Sequence, residues 1–124
     1  MGDSRYTCPC CGYRTFKEPP GSYEICSVCF WEDDPVQFLD PWFEGGANGP
    51  SLASAQEEYT RIGACEERCW TFIKGVQPGD QRDSDWRPVR GSDKEKIRKF
   101  RDLSAEDYHD LKTWYYWLDH DSNR

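Results

Sequence analysis

Two pairs of cysteines near the start of this chain limit what it can fold into more than any other feature. Cys8 and Cys11 form one pair and Cys26 and Cys29 the other, each with two residues between the thiols. Two intervening residues allow a tight turn that points both sulfurs at one ion, and Gly12 follows the first pair where the turn needs φ > 0. The spacing therefore predicts one closed, structural thiolate site for a single ion, zinc in preference to iron.

Other uses of these cysteines have to be weighed. A thioredoxin-like redox dithiol needs one Cys-x-x-Cys beside a βαβ pattern, whereas this sequence has two pairs and no such pattern. A disulfide framework needs an oxidising compartment, and seven cysteines is an odd number. A rubredoxin-like iron centre would use the same four sulfurs. Cys10 is an alternative to Cys11 as a ligand, although Cys8 with Cys11 keeps the usual spacing.

The composition indicates one small domain, residues 1–124, with a modest core. Only 36% of the residues are hydrophobic, and the mean hydropathy is −0.96. Such a polar chain gains much from a metal ion, because metal binding is then part of the folding free energy. No segment is apolar enough to cross a bilayer, and the first residues lack an apolar signal core. We therefore expect a cytoplasmic protein.

The predicted fold class is α+β, a small zinc-ribbon-like hairpin module packed with three to four helices. The cysteine module spans 6–30. Within it, 13–16 and 22–25 are short β-prone runs on either side of a Pro-Pro-Gly turn signal. These runs predict a hairpin in which the two pair with each other. Residues 31–50 are expected to be irregular.

A helical segment is expected over 51–73. Ser51 is a helix cap, and the first helix is predicted to end near Ile62 with Gly63 as its stop. A second helical stretch has apolar residues at i, i+4, i+7 and i+8, which are Cys65, Cys69, Phe72 and Ile73. Both cysteines are interpreted as core residues, because nothing else in the sequence completes a second metal site.

A C-terminal helical extension is expected over 93–119. It consists of a charged segment, 93–103, and a last helix that opens with a capping-box pattern at Ser104. The apolar stripe of that helix is Tyr108, Leu111, Tyr115 and Leu118. Tyr116 and Trp117 are left over by this stripe. They either cover the core or form an aromatic patch that binds a protein partner.

Charge is distributed unevenly along the chain, whose net charge is −7. Trp31, Glu32, Asp33 and Asp34 follow the last cysteine pair, and this acidic stretch either binds a basic partner or a cation, or is a plain loop. Residues 82–101 hold 8 basic and 4 acidic side chains, and they include Trp86. Basic residues beside an aromatic can bind nucleic acid. Pairing within the protein is the favoured interpretation, because the rest of the chain is acidic.

Several motifs resemble the bacterial cysteine-rich CPCC family. They are Cys8-Pro-Cys-Cys-Gly-Tyr13, Pro19-Pro-Gly-Ser-Tyr-Glu-Ile-Cys26, Cys29-Phe-Trp-Glu-Asp-Asp34, Gly45-Gly-Ala-Asn48 and Asp85-Trp-Arg-Pro88. The resemblance covers about residues 5–90 and implies zinc-ribbon-like cysteine knuckles in a cytoplasmic protein. Cys65, Cys69 and the segment after 90 lie outside the pattern.

The sequence contains no paired nucleophile and base, no open metal site and no cofactor loop. We therefore expect a non-enzymatic binding protein that zinc stabilises and that does not associate with membranes. Its most concrete form is an immunity or antitoxin protein, whose acidic and aromatic surface neutralises a basic toxin domain. The alternatives are a nucleic-acid-associated zinc ribbon that uses 82–101 and a rubredoxin-like iron protein.

Overall fold

The computed structural model of the protein describes residues 5–95 and 115–118. Its regular elements are short and combine strands with helices. They are β1 (Tyr6–Thr7), β2 (Arg14–Phe16), α1 (Pro35–Leu39), α2 (Leu52–Ile62) and the 3₁₀ helices Glu67–Phe72 and Gly91–Glu95. The architecture is therefore α+β, as the sequence predicted.

The antiparallel ribbon joins β1 and β2, and the first cysteine pair lies in the turn between them. Tyr6 stands opposite Phe16 and Thr7 opposite Arg14, with an irregular register between the two positions. The prediction that residues 13–16 pair with 22–25 is therefore wrong. The turn at the first cysteine pair brings β1 beside β2, so residues 14–16 take their ladder partners from β1.

Residues 22–25 pair instead across the second cysteine pair. The Tyr23 N–H donates to the Asp33 carbonyl at 2.9 Å, and the Asp33 N–H donates to the Glu24 carbonyl at 2.9 Å. Ile25 and Glu32 form an antiparallel bridge next to these contacts, on the side of the cysteine turn. Each cysteine pair thus forms the turn of its own short ribbon.

Helix α1 lies in the region 31–50 that was expected to be irregular. Asp34 is its N-cap, since the side chain accepts hydrogen bonds from Val36 N at 2.7 Å and Gln37 N at 3.4 Å. Pro35 occupies the first helical position, where its fixed φ and missing N–H are tolerated. The Asp-Pro signal was present in the sequence, but five residues are too few for a helical hydrophobic period to appear.

Helix α2 confirms the prediction for its segment. The Ser51 side chain accepts a hydrogen bond from Ser54 N at 3.1 Å, and the helix ends at Gly63, which has φ of 84°. The buried face carries Leu52, Ala55 and Gln56. Among the described residues, no helix has the length and apolar character that crossing a membrane requires.

The stretch after α2 differs in part from the prediction. Cys65 and Cys69 are buried, as expected of core residues, but the helix is 3₁₀ over Glu67–Phe72. Phe72 is 66% exposed, and its assignment to the apolar stripe is wrong. A 3₁₀ helix has three residues per turn, so spacings of four and seven no longer select one face.

The prediction of a C-terminal helix is wrong for residues 115–118, the part of it that the structure describes. Tyr115–Leu118 form a turn, closed by a hydrogen bond from Leu118 N to the Tyr115 carbonyl at 3.1 Å. The 3₁₀ helix Gly91–Glu95 overlaps the start of the predicted segment 93–103. The predictions for 96–114, including the capping box at Ser104, lie outside the described residues.

The core is built around the cysteines, which position the site at its centre. Its buried members are Cys8, Cys10, Cys11, Phe16, Cys26, Val28, Cys29, Trp31, Leu52, Ala55, Cys65 and Cys69. Few of these are aliphatic, so thiols and two large aromatic rings occupy the space that Leu, Ile and Val usually fill.

Candidate metal centre

The first cysteine knuckle, residues 8–13, is a tight turn held by two backbone hydrogen bonds. The Gly12 N–H donates to the Cys8 carbonyl at 2.8 Å, and the Cys8 N–H donates to the Tyr13 carbonyl at 2.9 Å. Gly12 has φ of 83°, in the left-handed region that glycine adopts at little cost. This geometry directs Cys8 and Cys11 toward the core.

The second knuckle, residues 26–31, repeats the same backbone pattern. The Phe30 N–H donates to the Cys26 carbonyl at 2.8 Å, and the Cys26 N–H donates to the Trp31 carbonyl at 2.9 Å. Phe30 has φ of 74°, so a residue with a side chain occupies the left-handed position here. The two knuckles are therefore equivalent in backbone conformation, although their sequences share only the cysteine spacing.

The two knuckles bring together the four cysteines that the spacing predicted. The sulfurs of Cys8, Cys11, Cys26 and Cys29 all lie within 4.8 Å of one another, and all four residues are fully buried. Cys8 Sγ lies 3.7 Å from Cys29 Sγ, and Cys11 Sγ lies 3.8 Å from Cys26 Sγ. Cys10 is equally buried but is not part of this group. Four converging thiols can hold one metal ion, with sulfur as the only donor type.

Burial and mutual hydrogen bonding shift the pKa values of these thiols in different directions. Burial raises the pKa of Cys8 and of Cys29 well above the usual value, and neighbouring thiols add to the effect. Burial acts in the same direction on Cys26, but hydrogen bonds from the other thiols and from Thr15 hold its pKa well below the usual value. The Thr15 hydroxyl lies 3.1 Å from Cys26 Sγ. Thr15 therefore supplies a hydrogen-bond donor to one of the four converging sulfurs.

Residues 82–86 cover the outer side of the first knuckle. Arg82 Nε donates to the Cys11 carbonyl at 3.1 Å, and the Asp83 N–H donates to the Gly12 carbonyl at 2.8 Å. The Trp86 ring lies over Gly12 so closely that a Cβ there would be 2.7 Å from two ring carbons. Packing thus requires glycine at this position, and the left-handed backbone favours it.

The Pro9 carbonyl, inside the same knuckle, accepts two hydrogen bonds. Trp86 Nε1 and Gln56 Nε2 each donate to it at 2.9 Å. Gln56 is buried on α2, and its Oε1 atom accepts from Val89 N at 2.9 Å. Gln56 was not predicted as a supporting residue. Its position on the apolar face of α2 was the signal in the sequence that could have indicated this role.

The acidic stretch after the second knuckle is not an acidic surface. Trp31, Asp33 and Asp34 are 0%, 1% and 4% exposed, and only Glu32 is partly exposed. Asp33 Oδ2 accepts from Gly21 N, Ser22 N and Ser22 Oγ at 3.0–3.1 Å. Asp33 and Asp34 therefore offer little charge to a partner, because backbone N–H groups of nearby turns donate to their carboxylates.

Asn48 and Gln37 complete this buried polar region. Asn48 Oδ1 accepts from Glu32 N at 2.9 Å, and its Nδ2 donates to the Glu32 carbonyl at 2.8 Å, as a paired strand would. Gln37 Nε2 lies 3.0–3.1 Å from the carbonyl oxygens of Phe43, Asn48 and Pro50, which share its two N–H groups. Outside α1, residues 31–50 are therefore held largely by side-chain amides.

Tyr116 and Trp117 cover the core and do not form an exposed patch. The Tyr116 hydroxyl accepts from Gln56 Nε2 at 2.8 Å and donates to the Arg87 carbonyl. Trp117 is 9% exposed, and its ring lies 4.9 Å from the Tyr116 ring in an edge-to-face contact. This outcome matches the alternative in which the two residues pack against the rest of the protein.

Arg82 and Arg87 of the basic segment 82–101 make intramolecular contacts. The Arg82 guanidinium lies over the rings of Tyr13 and Trp86, at 5.2 Å and 5.0 Å from their centroids. Arg87 forms a two-bond ion pair with Asp93, with both N–O distances at 2.9 Å. Arg82 and Arg87 thus support the first knuckle and the adjoining loop.

A sequence model of cysteine-rich CPCC proteins matches residues 6–81. The chain belongs to the cysteine-rich CPCC family. No curated protein sequence matches it. The matched residues include both knuckles, α1, α2 and the 3₁₀ helix Glu67–Phe72. Most of the contacts that cover the first knuckle come from residues after the match, such as Arg82 and Tyr116.

Proposed function

We propose that the chain is a non-enzymatic binding protein of the cytoplasm whose fold is stabilised by one structural zinc ion. The observation that carries this proposal is the closed set of four buried sulfurs within 4.8 Å of one another. A site with four protein ligands has no open position for water or substrate, so its role is structural and not catalytic. Function then belongs to the surface that the metal-bound core holds in place.

Zinc is the ion that this donor set favours in the proposal. Thiolates select zinc or iron, and zinc accepts a tetrahedral four-sulfur shell without any redox requirement. Metal analysis of protein purified under reducing conditions should return one equivalent of zinc tightly bound. A red protein with an iron–thiolate absorption spectrum would overturn the assignment in favour of a rubredoxin-like centre.

Exposed apolar side chains of segment 70–76 provide the proposed partner surface. Trp70, Phe72 and Val76 are 57%, 66% and 49% exposed. The Phe72 ring stacks on Phe30 at 5.5 Å, and Lys74 N donates to the Ser27 carbonyl at 2.9 Å. The segment therefore lies against the second knuckle, and metal binding fixes the position of its side chains. Exposed aromatic residues on a rigid support are typical of protein-binding sites.

An immunity or antitoxin role is the concrete form of this binding function. The net charge of −7 favours a basic partner, since opposite charges speed association. We expect the partner to be a toxin domain that is encoded beside this protein and that stops growth when expressed alone. Co-expression of the protein should restore growth.

The decisive test compares two variants in that growth assay and in a pull-down from the native host. The double substitution Trp70→Ser and Phe72→Ser should abolish partner capture and protection while leaving the zinc content at one equivalent. Leu118→Ser is the matched control, because Leu118 is an exposed apolar residue outside the segment. Recovery of no protein partner by the unmodified protein would overturn the binding function. Capture unaffected by the double substitution would overturn the choice of surface.

A further inference from the structure

A second cluster of metal-ligating side chains lies at the start of the 3₁₀ helix Glu67–Phe72. One ligand atom each from Cys65, Glu66 and Cys69 lies within 4.8 Å of the others. The two cysteines are 1% and 3% exposed, whereas the Glu66 side chain is 22% exposed. The cluster therefore has a buried sulfur side and a carboxylate at its open edge.

Backbone hydrogen bonds hold these three residues in place. The Cys69 N–H donates to the Glu66 carbonyl at 3.1 Å, which closes the turn between them. The Cys65 N–H donates to the Cys29 carbonyl at 2.9 Å, which attaches the cluster to the second knuckle. The Arg68 Nε atom lies 3.1 Å from Glu66 Oε1 and orients the carboxylate. A ligand carboxylate with its own hydrogen-bond partner is the usual arrangement around a bound metal.

We infer that Cys65, Glu66 and Cys69 form a second metal site that binds Zn²⁺ weakly and exchangeably. Two sulfurs and one oxygen make three protein ligands, which leave one tetrahedral position for water. Such an open site exchanges its ion more readily than a closed one, and its sulfurs select zinc over magnesium or calcium. This inference does not depend on the proposed function, because it uses none of the four sulfurs of the first site.

The competing explanation is that both cysteines only fill the core, as their sequence spacing suggested. That explanation accounts for the burial of the sulfurs. It assigns no role to the convergence of Glu66 with them. The two explanations differ in whether a second ion binds and in whether its binding depends on Glu66.

Native mass spectrometry and calorimetry on the full chain test the inference. The protein is prepared with its first equivalent of zinc, in a non-chelating reductant, and ZnCl₂ is then added. We expect a second ion to bind more weakly than the first. The double substitution Cys65→Ser and Cys69→Ser should remove this second binding event and keep the first. Glu66→Gln should lower the affinity for the second ion by at least roughly 10–100-fold, the loss that is typical when a residue supporting a metal ligand is removed.

Glu67→Gln is the matched control for Glu66→Gln. It removes the same charge one residue away, from a side chain that is 76% exposed and pairs with Arg61. The control should bind the second ion as the unmodified protein does. Failure to bind a second ion at saturating zinc would overturn the inference, and so would a second ion that persists unchanged in the double-serine variant. If that variant does not fold, equal affinities in the Glu66 and Glu67 variants would overturn it.

Discussion

The two cysteine knuckles have the same backbone and are supported in opposite ways. Each has the same pair of hydrogen bonds and a left-handed residue directly after its second cysteine. In the first knuckle that residue is Gly12, and the Trp86 ring occupies the space where a side chain would be. In the second it is Phe30, whose ring stacks on Phe72.

The difference shows that one local turn can be built in two ways. The first knuckle gives up a side chain so that a distant segment can pack directly on its backbone. The second accepts a strained conformation, which costs about 1–2 kcal/mol for a residue with a Cβ, and uses the side chain as a contact. Glycine after the second cysteine is thus required by packing around the first knuckle, whereas the turn alone only favours it.

Loss of a sulfur should have the largest effect, and the effect should be the same in both knuckles. Cys8→Ser and Cys26→Ser each remove one sulfur from the proposed closed metal site. Structural zinc contributes roughly 10–16 kcal/mol in small peptides, which is comparable to the total stability of a domain. We therefore expect both variants to lose their cooperative melting transition, as measured by circular dichroism, and chelation of the unmodified protein to do the same.

Cys10→Ser is the control for this comparison, since Cys10 is buried beside the four sulfurs but outside their group. It should keep its zinc and its melting transition. A folded Cys26→Ser variant beside an unfolded Cys8→Ser variant would show that the knuckles are not equivalent.

The next largest effect should come from Gly12→Ala. The new Cβ would clash with Trp86 and also impose strain at φ of 83°. The strain costs about 1–2 kcal/mol and the overpacking about 1–3 kcal/mol. Denaturant unfolding of the zinc-bound protein should therefore show a loss of roughly 2–5 kcal/mol.

Gly63→Ala measures the backbone part of this effect alone, so its difference from Gly12→Ala gives the packing part. Gly63 has φ of 84°, and no atom lies within 4 Å of the position that an added methyl group would occupy. This control should lose only the backbone part, about 1–2 kcal/mol. Equal losses at both glycines would mean that Trp86 does not restrict Gly12.

A smaller effect should follow from Thr15→Val, which tests the sulfur environment of the second knuckle. The substitution removes the hydroxyl that lies 3.1 Å from Cys26 Sγ. Loss of a hydrogen bond to a ligand lowers metal affinity by roughly 10–100-fold, which a chelator competition assay can measure. Thr60→Val removes a hydroxyl from an exposed position of α2 and should leave the affinity unchanged.

The smallest effect should come from Phe30→Gly. Glycine removes the left-handed strain, about 1–2 kcal/mol, but loses the Phe72 stack, about 0.5–1.5 kcal/mol, and part of the packing on the core. We expect a net change within about 1 kcal/mol in denaturant unfolding. If the loss of unfolding free energy were as large as that of Gly12→Ala, the Phe30 side chain would be essential to the second knuckle. Its role would then equal in size that of the missing side chain at Gly12.

Features encoded within a few residues were predictable from the sequence. The four-cysteine group follows from the spacing of each pair, and α2 follows from Ser51 and Gly63 at its ends. Helix α1 was missed although its Asp-Pro cap is equally local, because a five-residue helix has no period to detect. The wrong hairpin partner for residues 13–16 had a different cause, since several β-prone runs lie close together and only the turns decide which of them pair.

The acidic and aromatic residues show what the sequence alone could not determine. Asp33 and Asp34 have the composition of a surface loop, yet turns whose N–H groups face inward bury them. Phe72 is apolar but exposed, and Gln56 is polar but buried. Composition does not reveal these outcomes, because each depends on a partner that is distant in the sequence.

By itself the sequence determined the thiolate cluster, the α+β class and the ends of α2, because spacing and capping act over one or two turns of chain. Only the tertiary structure decided that Trp86 covers Gly12 and that the acidic stretch is internal. These features depend on which segments meet in space. Such contacts are set by the packing of the whole core, which no short pattern encodes.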